Sequence, residues 1–235
     1  MISPPKPFLV EVCVDSLEAA LIAEKSGADR LELNFALELD GLTPSLGLVE
    51  SVLEQVNLPV ITMVRPRSGD FFYRPAEWST MLRSSAWLLE SGAAGVAFGA
   101  LNQDRTVDEK RCQEMRALAA DRELVFHKAF DEIADWSQAG QQLIDIGIDR
   151  VMTSGRETGC LEGVPAMKRL QCEFRGRLAV LPAGGITATN VVEVLEAVDV
   201  DQVHGSFSGG NPRDFLAIEA EIVAAVGNLK THFNQ

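Results

Sequence analysis

Short apolar segments alternate along this chain with longer segments in which apolar residues recur at helical spacing. The short segments predict eight β-strands, at residues 8–14, 29–34, 60–65, 95–100, 123–128, 149–153, 178–182 and 202–205. A helix is predicted after each of them, at residues 16–26, 46–56, 76–91, 108–120, 136–146, 161–174, 187–197 and 212–226. Parallel neighbours need such a crossover, so the order predicts a parallel sheet. Eight units in 235 residues predict an α/β fold, a single (β/α)8 TIM barrel.

No Pro/Gly-rich linker or change of composition divides the chain. We therefore expect one domain over residues 1–235, with an N-terminal tail at 1–7 and a C-terminal tail at 228–235.

Side-chain alternation in the predicted strands sends polar residues to the inside of this barrel. In the first strand Val10, Val12 and Val14 share one face, which needs a helical cover, so Glu11 and Cys13 point inward. The same parity directs inward, on four further strands, Glu32, Asn34, Arg65, His127, Gln202 and His204. Because barrel interiors are ordinarily filled by Val, Ile and Leu, this polarity indicates a functional pocket at the C-terminal face.

The charge balance narrows the classes of partner. The formal net charge is −13, from 21 basic and 34 acidic residues, and such a chain repels nucleic acid and anionic membranes. No apolar run reaches the length of a membrane span, so we expect a cytoplasmic protein whose four cysteines are reduced thiols. The expected partner is a small molecule or a metal ion, with a homo-oligomer as one form of assembly.

Glu11, Glu32, His127 and Asp131 are the candidate catalytic residues, as acid/base groups in the predicted pocket. Two inward carboxylates repel each other unless a cation lies between them, and we expect Arg65 to do so. The alternative is a buried ion-pair network that only fills the barrel. For Asp131 two interpretations stay open: it orients His127, or it caps a helix.

Further polar residues predict substrate binding. Arg65 and Arg67 lie in the segment 65–72, where they can hold a carboxylate or phosphate or, alternatively, order the loop through Asp70. Thr153 and Ser154 offer hydroxyl donors or simply end a strand.

A glycine-rich loop with Gly184 and Gly185 enters a predicted helix, and His204 and Ser206 follow in the last strand and the loop after it. Barrel enzymes often bind phosphate at this place, although paired glycines also serve tight turns.

Metal ligands are sparse in the sequence. Cys13 is the candidate, if histidines and glutamates from other strands converge on it, and the alternative is a small core residue.

Several strings, in order and over residues 8 to about 206, resemble the CutC family, which is named for copper homeostasis. They are Glu11-Val-Cys-Val-Asp-Ser, Gly27-Ala-Asp-Arg-Leu-Glu-Leu, Gly41-Leu-Thr-Pro-Ser, Val64-Arg-Pro-Arg-Ser-Gly-Asp-Phe, Phe126-His-Lys-Ala-Phe-Asp, Met152-Thr-Ser-Gly and the Gly184-Gly185 turn. The resemblance implies a TIM barrel, a cytosolic location and copper binding or copper tolerance, with copper as the expected cofactor.

Two positions depart from the family pattern. Asn34 occupies the place where family members commonly carry a second cysteine, and Lys128 replaces the usual arginine after the histidine. One thiolate and one amide suit copper(I) poorly, so we expect weak copper(I) binding. Two other functions stay open: an acid/base enzyme of lyase, isomerase or aldolase type acting on a small anionic or polyhydroxylated substrate, and a small-ligand binding protein without turnover.

Overall fold

The computed structural model describes residues 8–233, and the predicted tail 1–7 lies outside them. Eight strands, β1 to β8, span Leu9–Val14, Arg30–Leu33, Val60–Met63, Gly95–Phe98, Glu123–Phe126, Arg150–Thr153, Ala179–Pro182 and Gln202–Gly205. Eight helices, α1 to α8, span Leu17–Lys25, Leu46–Gln55, Pro75–Glu90, Glu109–Ala119, Trp136–Ile146, Cys160–Phe174, Val191–Val198 and Phe215–Phe233. Two short 3₁₀ segments, Leu37–Leu39 and Lys128–Glu132, follow β2 and β5.

The strands form one parallel sheet in the order β7-β6-β5-β4-β3-β2-β1-β8. Ala183, just after β7, pairs in parallel with His204 of β8 and closes the ring. The predicted TIM barrel is therefore confirmed. Within residues 8–233 no helix is both long and apolar enough to cross a bilayer.

The pairing register of β1 with β2 and β8 determines which side chains lie together inside the barrel. Glu11 is opposite Arg30 of β2 and His204 of β8, and Cys13 is opposite Glu32. Residues opposite each other on parallel strands point to the same face, so these side chains share the barrel interior. Val10, Val12 and Val14 are buried in the outer core between strands and helices, as their parity predicts.

The interior has an apolar part and a polar part. β3 to β7 and the residue after β7 contribute a separate apolar cluster of Ile61, Met63, Ala97, Val125, Met152, Leu181 and Ala183. β1, β2 and β8 contribute buried polar side chains: Glu11, Arg30, Glu32, Gln202 and His204. The polar residues predicted to face inward thus lie mainly on one side of the barrel.

Several element ends differ from prediction. β3 ends at Met63 and β5 at Phe126, so Arg65 and His127 stand just beyond the strands. His127 begins the second 3₁₀ segment instead of continuing the strand, because its ring accepts a hydrogen bond from the Ala129 amide. α7 begins only at Val191, because a turn at residues 187–190 precedes it, closed by the Asn190 side chain on the Thr187 amide.

The predicted tail at 228–235 is wrong as far as Phe233. α8 continues to Phe233, with Leu229 fully buried and the Phe233 ring 6.1 Å from that of Phe8. Polar residues are frequent near the end of the chain, so the sequence did not predict this apolar contact with Phe8, just before β1.

Candidate functional site

A cavity of about 370 Å³ opens at the C-terminal end of the barrel. Most of the residues predicted from the sequence line it: Cys13, Glu32, Asn34, Arg65, His127, Lys128, Asp131, Thr153, Ser154, Gly184 and His204. The ends of β1, β2, β6 and β8 and the segments after β2, β3, β5, β6 and β7 supply them. Met63, Phe71 and Met152 provide apolar wall. A concave site with a few convergent polar groups is the usual form of a small-ligand site.

Glu11 lies one layer below this cavity and does not line it. Its carboxylate pairs with the Arg30 guanidinium, with Arg150 Nη1 at 2.9 Å and with His204 Nδ1 at 2.8 Å. Burial alone would raise the pKa of Glu11, but Arg150, the His204 hydrogen bond and Arg30 outweigh it and lower that pKa well below its ordinary value. Glu11 is therefore an ionised anchor beneath the pocket.

The expected neutralising role of Arg65 between Glu11 and Glu32 is wrong. Arg30 and Arg150, at the N-terminal ends of β2 and β6, neutralise Glu11 instead. Both arginines reach the interior from below, since the first residue of each strand also points inward.

His204 joins this anchor to the cavity. Its Nδ1 contacts Glu11, and its Nε2 lies 3.6 Å from Glu32 Oε2. Burial alone would lower the pKa of His204, but the Glu32 and Glu11 carboxylates outweigh it and raise that pKa. For Glu32 burial dominates and raises the pKa, with His204 opposing and Glu11 adding to the rise.

Cys13 and Asn34, together with Glu32 and His204, form the wall of the cavity on the side of β1, β2 and β8. Asn34 Nδ2 donates to Glu32 Oε2 at 2.7 Å and to Cys13 Sγ at 3.3 Å, so the amide occupies the place of a second thiolate. Burial of the sulfur, together with the Glu32 carboxylate, raises the pKa of the Cys13 thiol well above its ordinary value. The thiol is thus protonated at neutral pH.

His127, on the opposite side of the cavity, has no ionic partner within residues 8–233. Its Nδ1 accepts a hydrogen bond from the Ala129 amide at 3.2 Å, and its ring lies 5.0 Å from that of Phe71. Burial lowers the pKa of His127 to about 3, and Arg65 and Lys128 act in the same direction. The imidazole is therefore neutral with its proton on Nε2. That nitrogen is buried and has no hydrogen-bond partner among the described residues.

Gly99, which sequence reasoning missed, makes room for this ring. A Cβ built on Gly99 would lie 2.6 Å from both Nδ1 and Cε1 of His127. The signal in the sequence was a glycine directly after β4, where a close approach of backbone to a neighbouring side chain favours glycine.

Asp131 neither orients His127 nor caps a helix. Its carboxylate accepts hydrogen bonds from the Thr153 hydroxyl and from the Ser154 amide, at 3.0 Å, and hydroxyl, at 3.2 Å. The three residues form one hydrogen-bonded group at the cavity wall, and this group ties the segment after β5 to the end of β6.

Arg65 holds two loops together. Its Nη1 donates to the carbonyl oxygens of residues 39–41, and its Nη2 to that of Gly69 at 2.9 Å. Most of the fork that was expected to grip an anion is thus engaged with backbone, and only Nε is without a partner among the described residues.

Arg67 lies outside the cavity. It pairs with Asp70 at 2.9 Å and with Glu77 at 2.6 Å, which is the loop-ordering alternative. At the cavity mouth Lys128 pairs with Asp40 across 2.7 Å.

Gly185 and Ser206 line a neighbouring cavity of about 610 Å³, which they share with Cys13, Gly184 and His204. Gly184 and Gly185 both adopt positive φ, as the tight turn requires. Glu221 lies in this cavity and no Lys or Arg is among its lining residues, so the charge there does not favour phosphate.

Cys13, Glu32 and His204 bring three metal-ligating side chains together. Their sulfur, oxygen and nitrogen donor atoms all lie within 4.8 Å of one another. Donors around a tetrahedral ion lie roughly 3.5 Å apart, given bonds of roughly 2.0–2.3 Å, so a small contraction suffices. Glu11 on His204 Nδ1 is the kind of carboxylate that orients a metal-binding imidazole. One sulfur, one nitrogen and one oxygen suit copper(II) or zinc better than copper(I).

The model of the CutC family matches residues 8–209. The chain belongs to the CutC family. A CutC family protein of Treponema denticola is 42% identical over 199 residues, which cover 85% of this chain and 81% of that protein. The human copper homeostasis protein cutC homolog is also 42% identical, over 85% of this chain and 73% of its own.

A solved structure shares the fold and the family name. The crystal structure of the copper homeostasis protein CutC from Streptococcus agalactiae superposes with a TM-score of 0.81 at 28% identity. The match covers 85% of this chain and 98% of that one. The resemblance inferred from the strings above is thereby confirmed.

Proposed function

We propose that this chain binds one metal ion at Cys13, Glu32 and His204 as part of copper homeostasis, the role named for its human relative. The observation that carries the proposal is the convergence of the three donor atoms on one wall, with Glu11 behind His204. When bound, the ion would supply Lewis acidity and a fixed positive charge to the cavity.

The donor set leads to a preference among ions. The Cys13 thiol must lose its proton before the sulfur can bind a metal ion, so binding releases a proton. Because Asn34 replaces a second thiolate, copper(I) should bind more weakly than at a two-thiolate site, and Asn34→Cys should tighten it strongly.

The test is a pair of titrations on the metal-stripped protein. Cobalt(II), a probe for zinc-like sites, should give thiolate-to-metal absorption at one equivalent, and copper(I) should be measured by competition with a chelator under reducing conditions. Cys13→Ser should abolish the cobalt(II) absorption and lower affinity by roughly a hundredfold or more, since even the groups that orient ligands contribute 10–100-fold. Cys172→Ser, at an exposed cysteine, is the matched control. Metal binding unchanged by Cys13→Ser contradicts the proposal.

A second candidate, a protein for a small organic ligand with or without turnover, is supported by one observation. His127 lines the cavity outside the metal-binding cluster, with its Nε2 buried and unpaired among the described residues. The acid/base enzyme, the cytoplasmic location and the homo-oligomer stay predictions.

A further inference from the structure

Four buried side-chain atoms of residues that line this cavity lack hydrogen-bond partners within residues 8–233: Glu32 Oε1, Asn34 Oδ1, Arg65 Nε and His127 Nε2. Two of them have complementary chemistry on separate elements: His127 Nε2 is a donor and Glu32 Oε1 is an acceptor. His127 and Glu32 are 1% and 2% exposed. A buried polar group without a partner costs about 1–3 kcal/mol, so such atoms mark places where a ligand is accommodated.

The direction of the His127 donor follows from its other contacts. Nδ1 faces the backbone, because it accepts from the Ala129 amide and lies against Gly99. Nε2 is the other ring nitrogen and has no partner among the described residues, and His127 lines the cavity, so Nε2 is the donor available to a ligand. The ring cannot turn freely, because Phe71 packs on it as well.

The Glu32 acceptor is fixed in the same way. Oε2 accepts from Asn34 at 2.7 Å and faces His204, which leaves Oε1 for a further donor. Glu32 stands on β2 and His127 after β5, so a ligand that meets both atoms spans the cavity between separate walls.

We propose that this cavity binds a small hydroxycarbonyl compound, whose carbonyl oxygen accepts from His127 Nε2 and whose hydroxyl group donates to Glu32 Oε1. A neutral imidazole N–H pairs well with a carbonyl oxygen, and a buried carboxylate oxygen pairs well with a hydroxyl. The cavity of about 370 Å³ has room for roughly a dozen water-sized groups of about 30 Å³ each, hence for compounds of three to six carbons. Met63 and Met152 offer apolar contact to the carbon chain.

This inference needs no metal ion. His127 is not among the three metal donors, whereas Glu32 is common to both proposals. The experiment therefore uses the metal-stripped protein, so that failure of metal binding and failure of ligand binding are separate results.

The test compares three compounds with three carbons each: dihydroxyacetone, with carbonyl and hydroxyls, glycerol, without the carbonyl, and acetone, without hydroxyls. Titrations followed by imidazole ¹⁵N–¹H NMR are practical because the chain has three histidines. Dihydroxyacetone should bind at least tenfold more tightly than either of the others and shift the His127 Nε2–H signal, while exposed His232 should not respond. Equal affinities, or binding without a change at His127, would overturn the proposal.

A variant separates the contact from general packing. His127→Asn keeps an acceptor near the Nδ1 position for the Ala129 amide but has no donor at the place of Nε2, and it should weaken dihydroxyacetone binding at least tenfold. His232→Asn is the matched control and should bind as the unaltered chain does. If His127→Asn fails to fold, the NMR titration of the unaltered chain decides. Undiminished binding by a folded His127→Asn protein contradicts the assignment.

Discussion

The cavity has two walls, each with a buried histidine, and the fold shifts the pKa values of the two imidazoles in opposite directions. His204 lies between Glu11 and Glu32, whose carboxylates raise its pKa in spite of burial. His127 lies between a backbone amide, a glycine and Phe71, and burial lowers its pKa to about 3. The two histidines are similarly buried, with residue exposures of 7% for His204 and 1% for His127, so their neighbours decide the direction in which each pKa shifts.

This difference shows how a barrel can hold buried charge at one wall and exclude it from the other. On the His204 wall the charges alternate from Arg30 and Arg150, through Glu11 and His204, to Glu32. On the His127 wall the charges that act on the pKa of His127 are the cations Arg65 and Lys128, which disfavour a third positive group. The His204 wall therefore suits a bound cation, and the His127 wall suits a neutral ligand group that accepts a hydrogen bond.

The largest effect is expected where the alternation of charge is broken. Glu11→Gln keeps the size of the side chain but removes the carboxylate that Arg30, Arg150 and His204 share. Removing one member of a buried ion pair typically costs 3–5 kcal/mol, and we expect a loss of about that size in the free energy of unfolding. Urea denaturation measures it.

The matched control is Glu219→Gln, which breaks the Lys25–Glu219 pair at the surface, where the lysine side chain is 75% exposed. Exposed pairs contribute about 0–1 kcal/mol. Equal losses in the two variants would show that the charges under His204 are not a stabilising network.

The fold was predictable because strand parity and helix spacing are local properties of the sequence. Val10, Val12 and Val14 alternate with Glu11 and Cys13, and the closed barrel turns that alternation into outer core and interior. The ends of elements were less predictable. The start of β2 at Arg30 and the end of α8 at Phe233 depend on contacts with segments that are distant in the sequence.

In the site, the set of residues was predictable and their pairing was not. Parity correctly directs Glu32 and His204 inward, but whether Arg65 or Arg150 meets Glu11 depends on how the strands are staggered around the ring. Arg65 stands beyond its strand and binds loop carbonyls, which no periodicity reveals. Gly99 matters through His127, which stands just beyond the next strand, so a glycine after β4 indicated a close approach but the partner became known only once the strands were paired.

The second prediction concerns how the free energy of unfolding depends on pH through His127. The unfolded chain protonates His127 near pH 6.5, whereas the folded chain resists protonation until about pH 3. The unfolded state thus binds more protons in between, so the stability due to neutral His127 is full above pH 6.5 and falls as pH falls. The loss should be roughly 1 kcal/mol for each pH unit from 6 to 4. Denaturation curves of the unaltered chain and of His127→Asn measure it by difference.

The control for this pH effect is His232→Asn, at a histidine whose side chain is 45% exposed. It should keep the acid dependence of the unaltered chain. If His127→Asn keeps it as well, another group is responsible, and the neutral state assigned to His127 is wrong.

The smallest effect, and the most local, is expected from Gly99→Ala. The new Cβ would lie 2.6 Å from the His127 ring and 2.7 Å from the Ala129 Cβ, so the ring must shift and strain its hydrogen bond to the Ala129 amide. Overpacking of this kind typically costs about 1–3 kcal/mol, and the His127 ring signals should move while those of His204 stay in place.

Gly227→Ala is the matched control, because it adds the same methyl group within α8 where nothing lies within 4 Å, and it should stabilise slightly through helix propensity. Stability measured by denaturation and ring positions measured by NMR test both parts. If Gly99→Ala leaves His127 unmoved, or if His204 moves equally, the two walls do not behave as separate units and the comparison fails.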